Sequence, residues 1–391
     1  MPETALLQQS EKYEYPLEDI NRDGKPYFSR LYLPDQSILD QFGEDFLQMC
    51  EKEESLRGRS ILKIRQLLLD SNGPICVYVA GHHLGDRLLG LPYKLHLARR
   101  LAGREVLIGN DRHEELTLPY LDLPPNAQIA TKPEDRLKDN EYHQIDMIAS
   151  GLHTIDVLPV VQARRYREPD LRMAIQMAVL GFPMSEADLR RPGFRIPEEI
   201  LEQFPQDTDL LIVPDAMTYP YLNGRFYQSM KSLTAQQWKE VFVALPAGIR
   251  IGMIHGVSHP EYCNAVFHAA WQTGKKVEHR QTPRLIDFFH EVLRARVFFG
   301  MDTGTTHMAS MISRDLAVEG RREIAIRSLF NARLVKLYQF GLVGHPDPDT
   351  TLVFPHAPGE AGYPMERLMD DANPGQIASW LTRAVQKQQG L

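Results

Sequence analysis

Residues able to bind an anion follow a buried hydrophobic segment in the C-terminal half of the chain. Val297-Phe298-Phe299-Gly300 is typical of a buried strand, and Met301 to Ala309 continues as Met-Asp-Thr-Gly-Thr-Thr-His-Met-Ala. A glycine-containing turn from a strand into a helix leaves the first N–H groups of the helix available to a phosphate. Thr305 is the predicted N-cap of this helix, because a threonine hydroxyl can accept a hydrogen bond there. The alternative interpretation is a capped turn without a ligand.

A second turn of this kind follows another buried strand, Ile75 to Ala80. Its sequence is Gly81-His82-His83-Leu84-Gly85-Asp86, which places one carboxylate and two imidazoles after the strand. A carboxylate can act as a general base toward a hydroxyl, and an imidazole can assist proton transfer. Asp86 is therefore a candidate base, although aspartate is also a common N-cap, here of a helix predicted to start at Arg87. Neighbouring turn residues point in different directions, so we expect at most one of His82 and His83 to face a ligand.

Alternating strands and helices must position both turns. Apolar residues at helical spacing connect the strand Ile75 to Ala80 with a second strand, Val106 to Ile108, in a β-α-β unit with parallel strands. The C-terminal half continues this alternation. Its predicted strands are Leu210 to Pro214, Ile249 to Ile254, a short strand near Val277 and the strand at Val297, and its predicted helices are Thr234 to Leu245, Pro260 to Trp271, Arg284 to Leu293, a helix at Thr306 and Pro374 to Gln388. We therefore predict an α/β fold with two doubly wound domains that face each other and bind ligands at the carboxyl ends of their strands.

The chain divides into three predicted parts. Residues 1–72 form an N-terminal extension with amphipathic helical stretches at Ile38 to Leu47 and Ile61 to Leu69. Residues 73–204 form the N-terminal domain, and residues 205–391 form the C-terminal domain with its terminal helix. The proline- and acid-rich stretch from Pro192 to Asp207 is the predicted interdomain linker.

The composition excludes several functional classes. The chain has 391 residues, of which 43% are hydrophobic and 24% charged, as in ordinary soluble enzymes. Its formal net charge of -7 gives no basic field for a nucleic acid, so we expect no nucleic-acid partner. The three cysteines, Cys50, Cys76 and Cys263, are widely separated, which favours a reducing compartment without a zinc or disulfide framework. No signal peptide or transmembrane segment is evident, so we expect a cytoplasmic protein, with contact to the inner face of the cytoplasmic membrane left open.

Taken together, the two turns resemble the heptosyltransferase-like glycosyltransferases of the GT-B architecture, which attach sugars to the lipopolysaccharide core. The N-terminal pattern of that family, Gly-Asp followed by an apolar helix with proline, matches Leu84 to Pro92. The C-terminal pattern Asp-Thr-Gly-x-x-His-x-Ala matches Asp302, Thr303, Gly304, His307 and Ala309. Between them, a strand, a loop lysine and a helix correspond to Leu210 to Pro214, Lys231 and Thr234 to Trp238.

The resemblance covers roughly residues 74 to 340. The sequence departs from the family in the extension before residue 73 and in the long loop from Ala216 to Met230. It also departs at Ser313 to Arg322, which replaces the short Gly-Pro turn usual after the histidine helix.

The resemblance implies a GT-B fold of two Rossmann-like domains, with the acceptor in the N-terminal and the donor in the C-terminal domain. The implied reaction is an inverting, metal-independent transfer of a sugar from a nucleotide-diphosphate sugar, such as ADP-heptose, to a hydroxyl. The implied acceptor is the lipopolysaccharide core or another glycan, glycolipid or protein. The nucleotide sugar is a co-substrate, so no separate cofactor is expected.

The resemblance also assigns roles to individual residues. Lys231 would contact diphosphate oxygens, and the backbone N–H groups of Thr305, Thr306 and His307 would add donors. Asp302 would orient the turn or bind a sugar or ribose hydroxyl, His307 would donate to a phosphate oxygen, and Thr303 and Gly304 complete the donor turn. Asp86 would deprotonate the acceptor hydroxyl, with His82, His83 and Gly85 on the acceptor side.

Alternative interpretations remain for several of these residues. Lys231 is equally explained as a solvated surface lysine, and Asp302 and His307 as residues that only satisfy the turn. The acid pairs Asp207/Asp209 and Asp347/Asp349 have the spacing of metal ligands, but we predict solvated loop acids. Five arginines could border a diphosphate or an anionic acceptor, or be dispersed surface residues: Arg314, Arg321, Arg322, Arg327 and Arg333.

Two other functions fit the same architecture. In a sugar-nucleotide epimerase or hydrolase, no acceptor would be required and water would take its place in hydrolysis. A non-catalytic descendant would bind a nucleotide, a glycan or a partner through the extended N-terminus.

Overall fold

The computed structural model describes residues 65–66, 68–70, 73–78, 84–109, 119–130, 143–146, 177, 180–184, 188, 191–215, 221–222, 225–226, 232–255, 260–301, 303–331, 351–354 and 372–390. The described residues fall into two compact units that divide between Arg195 and Ile196. The predicted domain bounds, 73–204 and 205–391, stay predictions. Of the predicted extension, residues 65–66 and 68–70 are helical, and the stretch from Ile38 to Leu47 lies outside the described residues.

The N-terminal unit contains a four-stranded parallel sheet in the order β3-β2-β1-β4. Its strands are β1 (Ile75–Tyr78), β2 (Val106–Gly109), β3 (Ala127–Ala130) and β4 (His143–Asp146). Helix α1 (Leu84–Arg100) connects β1 to β2 and confirms the predicted β-α-β unit. Ile75, Cys76 and Val77 have no exposed surface, which explains the continuous apolar run of this inner strand.

Helix α1 is fixed to the unit at its C-terminal end. The side-chain amide of Asn126 lies 2.9 Å from the carbonyl oxygens of Ala98 and Leu101 and thereby satisfies carbonyls at the end of the helix. Arg99 also pairs with Asp122 at 3.0 Å. These contacts hold the helix whose first turn carries Asp86.

The C-terminal unit contains a six-stranded parallel sheet in the order β12-β11-β10-β5-β8-β9. Its strands are β5 (Thr208–Val213), β8 (Ile251–Ile254), β9 (Val277–Arg280), β10 (Ala295–Met301), β11 (Ala325–Asn331) and β12 (Thr351–Phe354). Numbered by their appearance in this sheet, the strands lie in the order 3-2-1-4-5-6 of a Rossmann sheet. The predicted α/β fold class with two Rossmann-like domains is therefore confirmed.

Helices flank this sheet and complete its core. They are α2 (Glu198–Gln203), α3 (Ala235–Ala244), α4 (Pro260–Gln272), α5 (Leu285–Arg294), α6 (Gly304–Val318) and α7 (Pro374–Gln389). Trp238 of α3 lies edge-on to Phe299 of β10 with ring centroids 5.6 Å apart, and both side chains are completely buried. The terminal helix α7 begins at the N-cap Asn373 and adds Trp380 and Leu381 to the same core.

The stretch predicted as the interdomain linker contains the boundary between the two units and a short helix. The stretch from Pro192 to Asp207 contains α2, and the ring of Phe204 stacks on that of His290 with centroids 4.0 Å apart. Arg322 donates hydrogen bonds to the carbonyl oxygens of Leu201 and Leu293, at 2.6 and 2.8 Å. A stretch rich in proline and acid can therefore pack tightly when arginines satisfy its backbone carbonyls.

The long loop from Ala216 to Met230 contains a short antiparallel ladder. It pairs β6 (Tyr221–Leu222) with β7 (Arg225–Phe226). The intervening sequence, Asn223-Gly224, favours a tight hairpin turn. Every helix within the described ranges is too short or too polar to cross a membrane.

Candidate functional site

The turn from β10 to α6 lies at the point where the strand order of the C-terminal sheet reverses. β5 and β10 are neighbours in register, with Val213 opposite Gly300, so both strands end at the same edge of the sheet. From β5 the chain leaves toward β8 on one side, whereas β11 and β12 lie on the other side of β10. Open parallel sheets bind ligands in the crevice outside the strand ends at such a reversal. The predicted phosphate-binding turn is therefore where a Rossmann sheet offers its ligand site.

Gly300 allows α6 to approach the end of β10 closely. A Cβ atom at this position would lie 2.4 Å from the Thr306 Oγ1 atom and 2.9 Å from the ring of Phe298. Both distances are too short for any side chain. Thr306 occupies the space that the missing side chain leaves, and its hydroxyl donates to the Met301 carbonyl oxygen at 2.5 Å.

The N-cap of α6 is Thr303, so the prediction of Thr305 is wrong. Thr303 has an extended backbone, with φ -144° and ψ 165°, and its carbonyl oxygen accepts the first helical hydrogen bond from the N–H of His307 at 3.1 Å. The glycine of the motif thus begins the helix instead of preceding it. The Thr303 side chain does not cap the helix, because its hydroxyl lies 2.8 Å from the hydroxyl of Thr305.

The first turn of α6 presents backbone donors to this edge of the sheet. The N–H groups of Gly304, Thr305 and Thr306 precede the first helical hydrogen bond and have no carbonyl partner within the helix. The aligned peptide dipoles also favour negative charge here. His307 was predicted to contribute its N–H as well, which is wrong, because that group bonds to Thr303. The His307 side chain is 5% exposed in the first turn.

Two further candidates for the donor site lie outside the described residues. These candidates are Asp302 and Lys231. Their contacts with the donor stay predictions because the structure does not describe either residue. The chain is well fixed immediately after Lys231, since Ser232 and Leu233 are buried. The Leu233 carbonyl oxygen accepts a hydrogen bond from the Tyr262 hydroxyl at 2.6 Å, and that hydroxyl accepts one from the Trp238 indole at 2.9 Å.

Tyr262 stays protonated in this environment. Burial raises its pKa, and the negative charge of Asp215 raises it further. Asp215 follows β5 by two residues at the edge that carries the candidate site. Thr234 next caps α3 in a capping box, accepting from the Gln237 N–H at 3.0 Å. The start of α3 is thereby anchored at the carboxyl ends of the strands, as in any parallel β-α-β unit.

Two histidines at the same edge were not among the predicted site residues. His255 follows β8, and its ring lies edge-on to that of His279 on β9 with centroids 4.4 Å apart. Its Nε2 atom lies 3.3 Å from the Asn264 Oδ1 atom of α4. Burial, together with the nearby His255, lowers the pKa of His279. For His255 the detectable signal was a polar residue directly after a buried strand, the same signal that marked the other two turns. His279 lies within β9, which is not buried, and carries no such signal.

In the N-terminal unit, Asp86 lies inside the first turn of α1. The helix begins at Leu84, earlier than the predicted start at Arg87, so the alternative role of Asp86 as N-cap is wrong. This turn also lies at a reversal of strand order, because β1 has β2 on one side and the later strand β4 on the other. The side chain of Asp86, and the whole of His82 and His83, lie outside the described residues, and Gly85 falls within the first turn of α1.

Among the described residues, four of the five arginines contact groups of the C-terminal unit away from the start of α6. Arg321 bonds to Glu198 and to the Ile196 carbonyl oxygen, and Arg322 bonds to carbonyls of the predicted linker. Arg327, which is 3% exposed, lies over the Trp380 ring at 5.3 Å. Arg314 is completely buried beside Asp315 in α6. Arg333 lies outside the described residues.

The acids around β5 are paired, so the prediction of solvated loop acids is wrong for them. Asp209 pairs with Arg250 at 2.9 Å and is 4% exposed, and Asp207 pairs with Arg294. Both lie at the amino end of β5, opposite the candidate site. Asp347 and Asp349 lie outside the described residues. Within the described residues, no group of three histidine, cysteine or acidic side chains could hold a metal ion.

Comparison with known proteins gives similarity at the level of structure. No protein-family model and no curated protein matches the sequence. The structure of a family 9 glycosyl transferase from Veillonella parvula has a TM-score of 0.52 and 12% identity, with 81% of this chain and 100% of that chain covered.

Two heptosyltransferases from E. coli give scores just below that value. ADP-heptose lps heptosyltransferase II has a TM-score of 0.49 and 13% identity, with 81% of this chain and 99% of that chain covered. Heptosyltransferase WaaC with ADP has a TM-score of 0.48 and 12% identity, with 79% of this chain and 99% of that chain covered.

The match to the Veillonella structure covers all of that chain and 81% of this one. An identity of 12% shows a common fold and leaves the reaction to be argued from the site. The chain therefore has the fold of a family 9 glycosyl transferase, with its Asp-Thr-Gly-x-x-His segment at the strand reversal of the C-terminal sheet.

Proposed function

We propose that this protein is an inverting, metal-independent glycosyltransferase that uses a nucleotide-diphosphate sugar. One observation carries the proposal: the turn at residues 302–307 follows the fourth strand of a 3-2-1-4-5-6 sheet, and three backbone N–H groups there have no partner within the helix. A diphosphate is the ligand that such a helix terminus at such a strand reversal suits best. The fold shared with a family 9 glycosyl transferase supports the same reaction class.

On the donor side, the protein stabilises the diphosphate as it leaves the sugar. The bond between the anomeric carbon and the phosphate oxygen breaks, and negative charge develops on that oxygen. The N–H groups of Gly304, Thr305 and Thr306 are fixed donors for this charge, and the helix dipole adds to them. Lys231 supplies a cation from the segment before α3, and Asp302 and His307 bind the sugar nucleotide within the turn.

On the acceptor side, Asp86 is the proposed base. Its carboxylate takes the proton of the acceptor hydroxyl as the hydroxyl oxygen forms the new bond to the anomeric carbon. Attack from the face opposite the diphosphate inverts the configuration at that carbon. In this mechanism, the general base follows β1, and the hydrogen-bond donors to the leaving diphosphate follow β10.

The substrate classes come from the motif resemblance. ADP-heptose is the first donor to test, and a lipopolysaccharide-type glycan is the first acceptor, with glycolipids and proteins as further acceptors. The interdomain arrangement that brings Asp86 to the donor remains part of the proposal, as do the cytoplasmic location and contact with a membrane surface.

The first experiment is a thermal-shift and calorimetric screen of the purified protein against ADP-, GDP-, UDP- and dTDP-sugars. Selective stabilisation by one nucleotide, lost in Asp302→Ala, is the expected result, because a ligand that binds only the native state raises the melting temperature. Glu240→Ala, a change at an exposed position of α3, is the matched control and should respond like the wild type.

The screen, together with a turnover assay on the nucleotide sugar that binds, separates the alternatives. Absence of binding to all four classes contradicts the proposal and favours a non-catalytic descendant that binds a glycan or partner. Consumption of the bound nucleotide sugar at a rate that does not depend on an acceptor favours an epimerase or hydrolase. Retained nucleotide binding without turnover contradicts catalysis and leaves a nucleotide-binding protein.

A further inference from the structure

The side-chain hydroxyl of Thr306 connects α6 directly to the end of β10. It is completely buried, and its Oγ1 atom donates to the Met301 carbonyl oxygen at 2.5 Å. Met301 is the last residue of β10 and is itself completely buried. Since a buried carbonyl is costly to leave without a hydrogen bond, this contact specifies the position of the helix relative to the strand.

The same hydroxyl also fills the space above Gly300. The 2.4 Å distance between its oxygen and a Cβ atom placed on Gly300 shows that helix and strand approach as closely as glycine permits. Thr303 offers a weaker second contact, because its own hydroxyl lies 3.5 Å from the Met301 carbonyl and 3.4 Å from Thr306. Neither contact replaces the short hydrogen bond from Thr306.

We propose that Thr306 is a positioning residue for the donor diphosphate. Its hydroxyl fixes the first turn of α6 on the end of β10, and the N–H groups of Gly304 and Thr305 are thereby held where the diphosphate binds. The role rests on the proposed function, since it needs an anion at this turn. The Thr306 side chain itself faces the strand and does not contact the ligand.

The helix provides a matched control in Ser313. This side chain is also buried on α6, and its hydroxyl donates to the Ile324 carbonyl oxygen at 2.5 Å, next to β11. Ser313 lies about two turns beyond Thr306, away from the helix N-terminus. Removal of this hydroxyl takes away the same kind of hydrogen bond without changing the first turn.

The test compares Thr306→Val, Thr306→Ser and Ser313→Ala in full-length protein by calorimetric titration with inorganic pyrophosphate and with ADP. Valine keeps the shape of threonine and removes the hydroxyl, so we expect pyrophosphate to bind about tenfold more weakly. Serine restores the hydroxyl and most of the affinity. Ser313→Ala should bind like the wild type, although its melting temperature falls as much as that of Thr306→Val.

Hydrogen exchange of the peptide covering residues 300–310 gives a second measurement. Pyrophosphate should protect this peptide in the wild type and in Ser313→Ala, and protect it less in Thr306→Val. If Thr306→Val binds pyrophosphate as tightly as Ser313→Ala, the positioning role is wrong while the proposed function stands. If the wild type binds neither pyrophosphate nor any nucleotide sugar, the proposed function and the positioning role are both wrong.

Discussion

Side chains and backbone groups have separate tasks at the start of α6. The hydroxyl of Thr306 contacts the strand, and the hydroxyls of Thr303 and Thr305 lie within hydrogen-bonding distance of each other, so no threonine side chain caps the helix. The leading N–H groups are thereby left for a ligand. A sequence with three threonine hydroxyls in this turn does not reveal which residue acts as N-cap, because the choice depends on where the extended backbone ends.

At the acceptor side, Asp86→Ala should abolish sugar transfer and leave donor affinity within a few fold. The base acts on the acceptor hydroxyl in the transition state, so its loss lowers kcat more than it changes donor binding. Transfer rates and donor dissociation constants measured on the same preparation test this. Loss of donor binding, or of the folded state, would assign Asp86 to the stability of the first turn of α1 instead.

At the donor side, Lys231→Ala should weaken binding of the donor by about 1.5–3 kcal/mol, as expected for a charged hydrogen bond. Lys231→Arg is the matched variant, because it keeps the charge and changes the geometry. Calorimetry with the nucleotide identified in the screen measures both. An unchanged affinity in Lys231→Ala would remove this lysine from the site.

Among the elements, inner strands determine where the polar groups meet. β5, β8 and β10 are buried, and each is followed by polar residues at the carboxyl edge: Asp215, His255 and Thr303. Parallel pairing brings these strand ends together, whatever their distance in sequence. The anchored start of α3, through Tyr262 and Leu233, places the segment after Lys231 at the same edge.

The close contact between β10 and α6 predicts that Gly300→Ala is strongly destabilising. The added Cβ atom would lie 2.4 Å from Thr306 and would push the helix off the strand, at a cost of about 1–3 kcal/mol for overpacking. We expect a lower melting temperature together with weaker donor binding. Gly103→Ala is the control, because a Cβ atom there meets nothing within 4 Å.

The two edges of the C-terminal sheet carry different kinds of residues. The amino edge carries ion pairs, Asp207 with Arg294 and Asp209 with Arg250, whereas the carboxyl edge carries the candidate site. Burial on its own raises the pKa of Asp209, but hydrogen bonds from Arg250 outweigh it and hold the pKa below its usual value. Hydrogen bonds from Arg294 do the same for Asp207.

These pKa shifts predict a loss of stability in acid. A carboxyl group whose pKa is lower in the folded than in the unfolded state stabilises the fold above about pH 4, the unfolded value, and this stability is lost as the pH falls through the folded value. Urea unfolding at pH 7 and in steps below pH 4 should therefore show a smaller pH dependence for Asp209→Asn than for the wild type. Glu240→Gln, at an exposed position, should retain the full dependence. Equal slopes for wild type and Asp209→Asn would contradict the stabilising role of this pair.

The metal-independent mechanism predicts that EDTA leaves transfer unchanged. Backbone N–H groups and Lys231 neutralise the leaving diphosphate in this mechanism, so no divalent cation is required. Activity assays with EDTA, and after addition of Mg²⁺ or Mn²⁺ to a dialysed sample, measure the requirement. A strict need for a divalent ion would overturn this part of the proposal.

The sequence by itself determined the fold class and the two turns. Continuous apolar runs such as Ile75 to Val77 and Val297 to Phe299 are typical of strands buried on both faces of a parallel sheet, and amphipathic periodicity predicted most helices of the C-terminal unit to within one or two residues. The strands β3, β4, β6, β7, β11 and β12 were missed, because short or mixed segments carry no clear period.

Tertiary structure alone decided which residues come together. The strand order places the turn at 302–307 beside the end of β5, and no local pattern encodes the order of strands. The short distance at Gly300 and the N-cap Thr303 depend on how α6 packs against β10, and the partners of Arg321 and Arg322 lie in a segment distant in the chain. Local propensities act within a few residues, whereas burial and hydrogen-bond satisfaction are settled only when these elements pack.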